Sequence, residues 1–112
     1  MGARRIDALA AACFYQLGEY ERAAVRAQKA VAEMHPQDLR NRKRGAVTLT
    51  WVAAEARLGH KSRATNALAS FQEAVPNVAS VAAIKAWMHP TAYLAGYEPL
   101  FEGLRLAGVR DQ

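Results

Sequence analysis

A short phrase that occurs twice, Leu17-Gly18-Glu19-Tyr20-Glu21-Arg22-Ala23 and Leu58-Gly59-His60-Lys61-Ser62-Arg63-Ala64, constrains this chain more than any other feature. Each copy sits between two alanine-rich apolar runs. Leucine ends one stripe of 3.6-residue period, glycine can take the left-handed conformation that closes a helix, and a second stripe opens at the alanine. Such a pattern spells a helical hairpin, so two hairpins are expected. Laying Gly18 over Gly59, an offset of 41 residues (59 − 18), also matches Ile6 with Val47, Ala10 with Trp51, Ala27 with Leu68, Ala30 with Phe71 and Met34 with Val75. Small residues exchange for large ones at several of these pairs, as interdigitating neighbours require. Phe14 falls on Glu55 and breaks the pattern.

The chain's 112 residues, 52% of them hydrophobic, suffice for one thin continuous core, and an aromatic content of 8% with abundant alanine suits close helix contacts. Fifteen Lys and Arg against ten Asp and Glu give a formal charge of +5, which favours acidic partners in general. The single Cys13 has no intramolecular disulfide partner, consistent with a reducing compartment. No uncharged run reaches the roughly 20 apolar residues of a membrane helix, and Asp7 interrupts the only stretch that imitates a signal peptide. A cytoplasmic, soluble chain without membrane insertion is expected.

The first helix is expected over about 3–17, burying Ile6, Leu9, Ala10, Cys13, Phe14 and Leu17 on one face. The second, about 21–34, buries Ala23, Ala24, Ala27, Ala30, Val31 and Met34 and ends at His35-Pro36. A third, capped by Asp38 and running to Leu58, starts with the basic run Arg40, Arg42, Lys43 and Arg44, bends or breaks near Gly45, and continues with Val47, Trp51, Ala54 and Leu58 inward. The fourth, about 62–74, buries Ala64, Ala67, Leu68, Phe71, Ala74 and Val75. A fifth spans about 78–88 with Val81, Ile84 and Met88 inward. The last places Tyr93, Leu94, Tyr97, Leu100, Phe101, Leu104 and Ala107 on one stripe, either as a bent helix from Thr91 or as a new one near Glu98 with Pro99 in its first turn, and Gly108 closes it. The fold class is therefore all-α: antiparallel hairpins over about 3–36 and 38–76 in a single domain spanning 1–112, with capping helices over about 78–108. Ile6, Phe14, Trp51 and Phe71 should share one core.

Gly18-Glu19-Tyr20-Glu21-Arg22-Ala23, followed by Ala27, Ala30 and a closing proline, resembles the tetratricopeptide repeat, a helix–turn–helix unit of about 34 residues. The resemblance covers 6–36 and, more loosely, 47–76. Ala10-Ala11 and Trp51-Val52 stand where that family has Leu-Gly, and the spacing is longer than the family's. It implies a short α-solenoid whose first helices line a concave groove. That groove would be lined by Arg5, Ala8, Ala12, Tyr15 and Gln16 from the first hairpin and by Leu49, Ala53 and Arg57 from the second. An extended or acidic peptide suits such a cleft. The stretches Pro76-Asn77, Val81-Ala82-Ala83-Ile84 and Tyr97 through Val109 resemble the repeat-bearing tail of bacterial class III adenylate/guanylate cyclases. That implies a C-terminal region of a larger signalling protein.

No catalytic, cofactor-binding or metal-ligating set stands out. His35, His60 and His89 sit alone at predicted helix ends, without the i+3 or i+4 ligand of a zinc site, and read as solvated or capping residues. Cys13 reads as a small buried hydrophobe. Phosphate loops and nucleophile-elbow motifs are missing from the sequence. The expected function is a non-catalytic module that binds a protein or peptide, or pairs with a second copy at its open N-terminal edge. The alternative is a basic helical nucleic-acid-binding domain using Arg40, Arg42, Lys43 and Arg44. That run lacks the interleaved aromatics that single-strand binders prefer.

Overall fold

The computed structural model describes residues 2–35, 37–38, 42–75, 77–88 and 98–112, with backbone alone for 2–5 and 42–44. Six helices fill the described residues: α1 Gly2–Gln16, α2 Tyr20–Ala32, α3 Arg42–Arg57, α4 Lys61–Ala74, α5 Val81–Met88 and α6 Glu98–Leu106. The all-α class is as expected, and among the described residues no helix is long and apolar enough to cross a membrane.

Both hairpin turns close in the same way. Gly18 has φ +81° and Gly59 φ +82°. At the first, Gly18 N–H donates to the Tyr15 carbonyl at 3.0 Å and Glu19 N–H to the Phe14 carbonyl at 2.9 Å. At the second, Gly59 N–H donates to Ala56 at 3.1 Å and His60 N–H to Glu55 at 2.9 Å. This pair of bonds is the Schellman closure, in which a left-handed residue turns the chain back onto the last carbonyls. The end of α6 repeats it, with Gly108 N–H donating to Arg105 and Val109 N–H to Leu104.

Helix α2 packs on α1 and on α3, α1 also meets α3, and α4 lies against α3. The buried residues of α3 fall on every side of the helix: Val47, Thr48, Leu49, Thr50, Val52, Ala53, Ala54 and Glu55. An inward stripe of Val47, Trp51, Ala54 and Leu58 was too narrow an expectation; Trp51 and Leu58 are half-buried edge residues. The helix also runs unbroken through Gly45. The Asp38 carboxylate accepts the His35 amide at 2.9 Å in the connecting turn; the expected cap of α3 falls at Leu39, Arg40 and Asn41, which lie outside the described residues. In α2 and α4 the buried sets match the expected stripes, with Ala23, Ala24, Ala27 and Ala30 in one and Ala64, Ala67, Leu68 and Phe71 in the other.

Helix α1 is turned the other way from the expectation. Ile6 is 62% exposed, Leu9 65% and Leu17 72%, and Cys13 is exposed as well. The buried side carries Ala11 and Tyr15, flanked by half-buried Ala8 and Phe14. Ala11 joins Ala27, Ala30 and Val47 in a cluster of small residues, with Val31, Met34 and Trp51 at its edge. Alanines let the two helix axes approach closely, and Ile6 or Leu9 would hold them apart. Phe14, Trp51 and Phe71 do share the main core; Ile6 does not.

The charged residue that broke the repeat alignment is a buried strut. Glu55, 3% exposed, accepts Trp51 Nε1–H at 3.1 Å and faces His60 Nδ1 at 2.7 Å. It thereby ties the end of α3 to the start of α4 through His60, which is exposed at the N-cap position of α4 and paired with Glu55 as well. The C-terminal tail closes the fold. Arg110 and Asp111 carbonyls accept the Val81 and Ala82 amides at 2.8 and 3.0 Å, and Ser80 Oγ accepts the Ala83 amide at 3.1 Å. Together they satisfy N–H groups that the first turn of α5 leaves open.

A side chain added at Gly18 or Gly59 would meet no atom within 4 Å. The cost of Gly59→Ala is therefore conformational alone, about 1–2 kcal/mol for a left-handed alanine. Urea unfolding should show the midpoint falling with the slope unchanged, and Gly59→Asn should recover part of the loss.

Candidate functional site

The groove that the hairpins frame between α1 and α3 is occupied by the chain itself. Helix α6 packs on α3, and Leu100, Phe101, Gly103 and Leu104 are buried there. The closest approach is at Gly103, where a Cβ would lie 2.6 Å from Ala53 Cβ and 3.1 Å from Ala53 Cα, and would collide with the Tyr15 hydroxyl. Only glycine fits that crossing. Burying the three large side chains of α6 contributes roughly 5–9 kcal/mol by area, an upper estimate.

Polar contacts fix the register of this helix. The Tyr15 hydroxyl, on a residue 3% exposed, donates to the Pro99 carbonyl at 2.6 Å. Arg57 donates through Nε to the Tyr15 oxygen at 3.2 Å and through Nη2 to the same Pro99 carbonyl at 2.9 Å. The Arg57 guanidinium also lies over the Tyr20 ring, 5.3 Å from its centroid, and the Tyr15 and Tyr20 rings are 5.2 Å apart. The Pro99 carbonyl in the first turn of α6 thus receives two donors, one from α1 and one from α3. Hydrogen bonds of this kind are worth about 1 kcal/mol each, so burial holds α6 in place and Tyr15 and Arg57 select its position. On the outer side, Glu98 pairs with Arg105 at 3.1 Å, and Lys85 Nζ stands 4.0 Å from Glu98 and 4.9 Å from the centroid of the Phe101 ring.

The expected groove residues divide accordingly. Tyr15, Leu49, Ala53 and Arg57 come together, but as the bed of α6: Leu49 and Ala53 are fully buried. An open cleft lined by them is corrected to a filled one, because Leu100, Phe101 and Leu104 of α6 are buried where the cleft was expected. Ala8 is half-buried toward α2, while Ala12 and Gln16 are exposed. The side chain of Arg5 lies outside the described residues. Arg42, Lys43 and Arg44 stand in the first turn of α3 with undescribed side chains, and Arg40 lies outside the described residues. The Tyr15–Pro99 link was missed, although tyrosine between an alanine stripe and a proline-started helix was a usable sign.

Elsewhere, a depression of about 430 Å³ between α2, α3 and α4 is lined by Gln28, Trp51, Glu55, Arg63, Asn66, Ala67 and Ser70. Both Glu55 oxygens in its wall are already engaged. A shallower one of about 340 Å³, lined by Phe14, Glu21, Arg22, Val25 and Arg26, lies between α1 and α2. Among the described residues no group of three or more His, Cys, Asp or Glu could hold a metal ion.

Two substitutions probe the bed of α6. Gly103→Ala should destabilise by about 1–3 kcal/mol through overpacking, although alanine is the better helix former by about 1 kcal/mol. Denaturant unfolding measures it, and a gain in stability would contradict the close approach. Tyr15→Phe should cost about 1 kcal/mol at neutral pH. Burial raises the Tyr15 pKa above its ordinary 10.0, partly opposed by the hydrogen bond and charge of Arg57. The unfolded chain therefore loses this proton first as pH rises, and stability present below pH 10 is lost through the folded-state value. The stability gap between wild type and Tyr15→Phe should narrow as pH climbs past 10.0.

With this geometry in hand, comparison with protein-family models, curated proteins and solved structures returns no match.

Proposed function

We propose that this chain is a non-catalytic protein–protein interaction module, a short tetratricopeptide-like stack belonging to a larger cytoplasmic signalling protein of bacterial type. The order of contacts supports the stack: α1 on α2, α2 on α3 and α1 on α3 is the neighbour pattern of hairpins laid side by side. The repeated glycine closures support it as well.

One observation carries the interaction reading. Ile6, Leu9, Leu17 and Val25 are 50–72% exposed, and the first three lie on one side of α1 with Cys13 between them. Each large apolar side chain left in water forgoes about 1.5–3 kcal/mol, and contiguous apolar stripes on a folded surface mark docking faces. The concave groove is already filled, so the docking face of the module is the outer side of α1. The C-terminal stretch, by its resemblance, ties the module to the tail of a nucleotide cyclase. The reading frame upstream of Met1 in the gene tests that link, and a cyclase domain there is the expected result.

The interaction reading is tested by placing a photocrosslinking residue at Leu9 or, as control, at exposed Glu73 on α4, in cells making the whole parent protein. Discrete protein adducts are expected from Leu9 and none from Glu73. No adduct from Leu9, a second copy included, would overturn the reading.

A further inference from the structure

We infer that the depression between α2, α3 and α4 is a binding site for a small aromatic carboxylic acid, with the carboxylate held at Arg63 and the ring against Trp51 and Ala67. The inference is independent of the docking face on α1. It starts from the repeat that sets Gly18 over Gly59. Each hairpin carries a depression at the same place: Phe14, Arg22, Val25 and Arg26 line the smaller, and their counterparts Glu55, Arg63, Asn66 and Ala67 line the larger. In the first hairpin the basic groups are spent. Arg22 bridges Glu19 at 3.2 Å and lies 5.8 Å from the centroid of the Phe14 ring, and Arg26 bridges Asp7 at 3.1 Å. In the second hairpin every one of these partners is exchanged. Glu19 becomes His60 and Phe14 becomes Glu55, and those two face each other at 2.7 Å, while Asp7 and Arg26 become Thr48 and Ala67, which removes the bridge. Arg63 is therefore exposed with no hydrogen bond or ion pair among the described residues, whereas Arg22, Arg26, Arg57 and Arg105 are all paired.

The chemistry of the ligand follows from what these side chains leave unused. Arg63, Asn66 and Ser70 share one face of α4, and neither Asn66 nor Ser70 has a hydrogen-bond partner among the described residues. A guanidinium, an amide and a hydroxyl are together a donor set for a carboxylate. Glu55 does not call for a cation instead, because its two oxygens already take the Trp51 indole N–H at 3.1 Å and face His60, so it sets the indole in place. Half-buried Trp51 and buried Ala67 supply apolar surface, and exposed Gln28 stands across from them on α2. An aromatic wall favours a flat ligand. The volume of about 430 Å³ falls in the range of small-molecule sites, and the chain's formal +5 draws anions to it.

Proton–nitrogen correlation spectra of the isotope-labelled chain, titrated with sodium benzoate, test this. Saturable shifts are expected at the Trp51 indole and at the Gln28 and Asn66 side-chain amides, with a Kd of about 1 mM or below for so small a ligand. The Trp87 indole, edge-on to Phe71 on the other side of α4, is the internal control and should not move. Benzamide, which lacks the charge, and Arg63→Gln should each weaken binding by about 10-fold or more, the loss of a charge-assisted hydrogen bond. Arg63 is exposed and unpaired among the described residues, so this variant should keep its fold, and Arg22→Gln should bind as wild type does. Cyclohexanecarboxylate, which keeps the charge and loses the flat ring, should bind about fivefold more weakly. Shifts that stay linear well above the expected Kd, that spread alike over every basic part of the surface, or that survive Arg63→Gln overturn the inference. So does benzamide or cyclohexanecarboxylate binding as tightly as benzoate.

Discussion

Between Gly45 and Glu55 helix α3 gives no face to solvent, and the arrangement of the molecule follows from that. From Ala46 to Ala54 it carries no charge, and its buried residues lie all round the axis. A helix of this kind is stable in water only inside a sleeve of other helices. Helices α1 and α2 cover one part, α4 a second, and α6 closes the remaining gap. The backbone of α6 comes close enough to α3 that glycine is required at the crossing, and the Pro99 carbonyl is held there by Tyr15 and Arg57. The groove between the first helices is therefore a structural slot filled by α6.

Small residues decide which side of α1 faces outward. Ala8 and Ala11 of α1 and Ala23, Ala27 and Ala30 of α2 let these two helices close up, and the bulky residues of α1 are left on the far side. One choice of packing thus produces both a tight inner seam and an exposed apolar stripe. The stripe is the other half of the alanine seam, on the outer side of α1.

Much of the fold was legible from local grammar. Two glycines flanked by periodic apolar runs fix the hairpins, since the left-handed turn is a backbone requirement that few residues meet. The inward faces of α2 and α4 followed from spacing, because charged residues on their other sides leave one choice. Helix α1 defeated the same reasoning: apolar residues occur on both of its sides, and size favoured the wrong one. The register of α6 was not legible either, since it depends on a carbonyl and on a glycine whose neighbours are distant in sequence. Glu55 looked like a break in the repeat, and only its partners Trp51 and His60 show why a buried carboxylate stands there.

The central claim is that α6 belongs to the core as the last wall around α3. Native-state hydrogen exchange resolves this amide by amide. If the claim is right, the amides of Leu104 and its neighbours in α6 exchange with the same opening free energy as those of Leu49 and Val52 in α3, near the global stability. If α6 instead exchanges through a low-energy local opening while α1 to α4 stay protected, the groove is open for part of the time and the account of a filled slot is wrong.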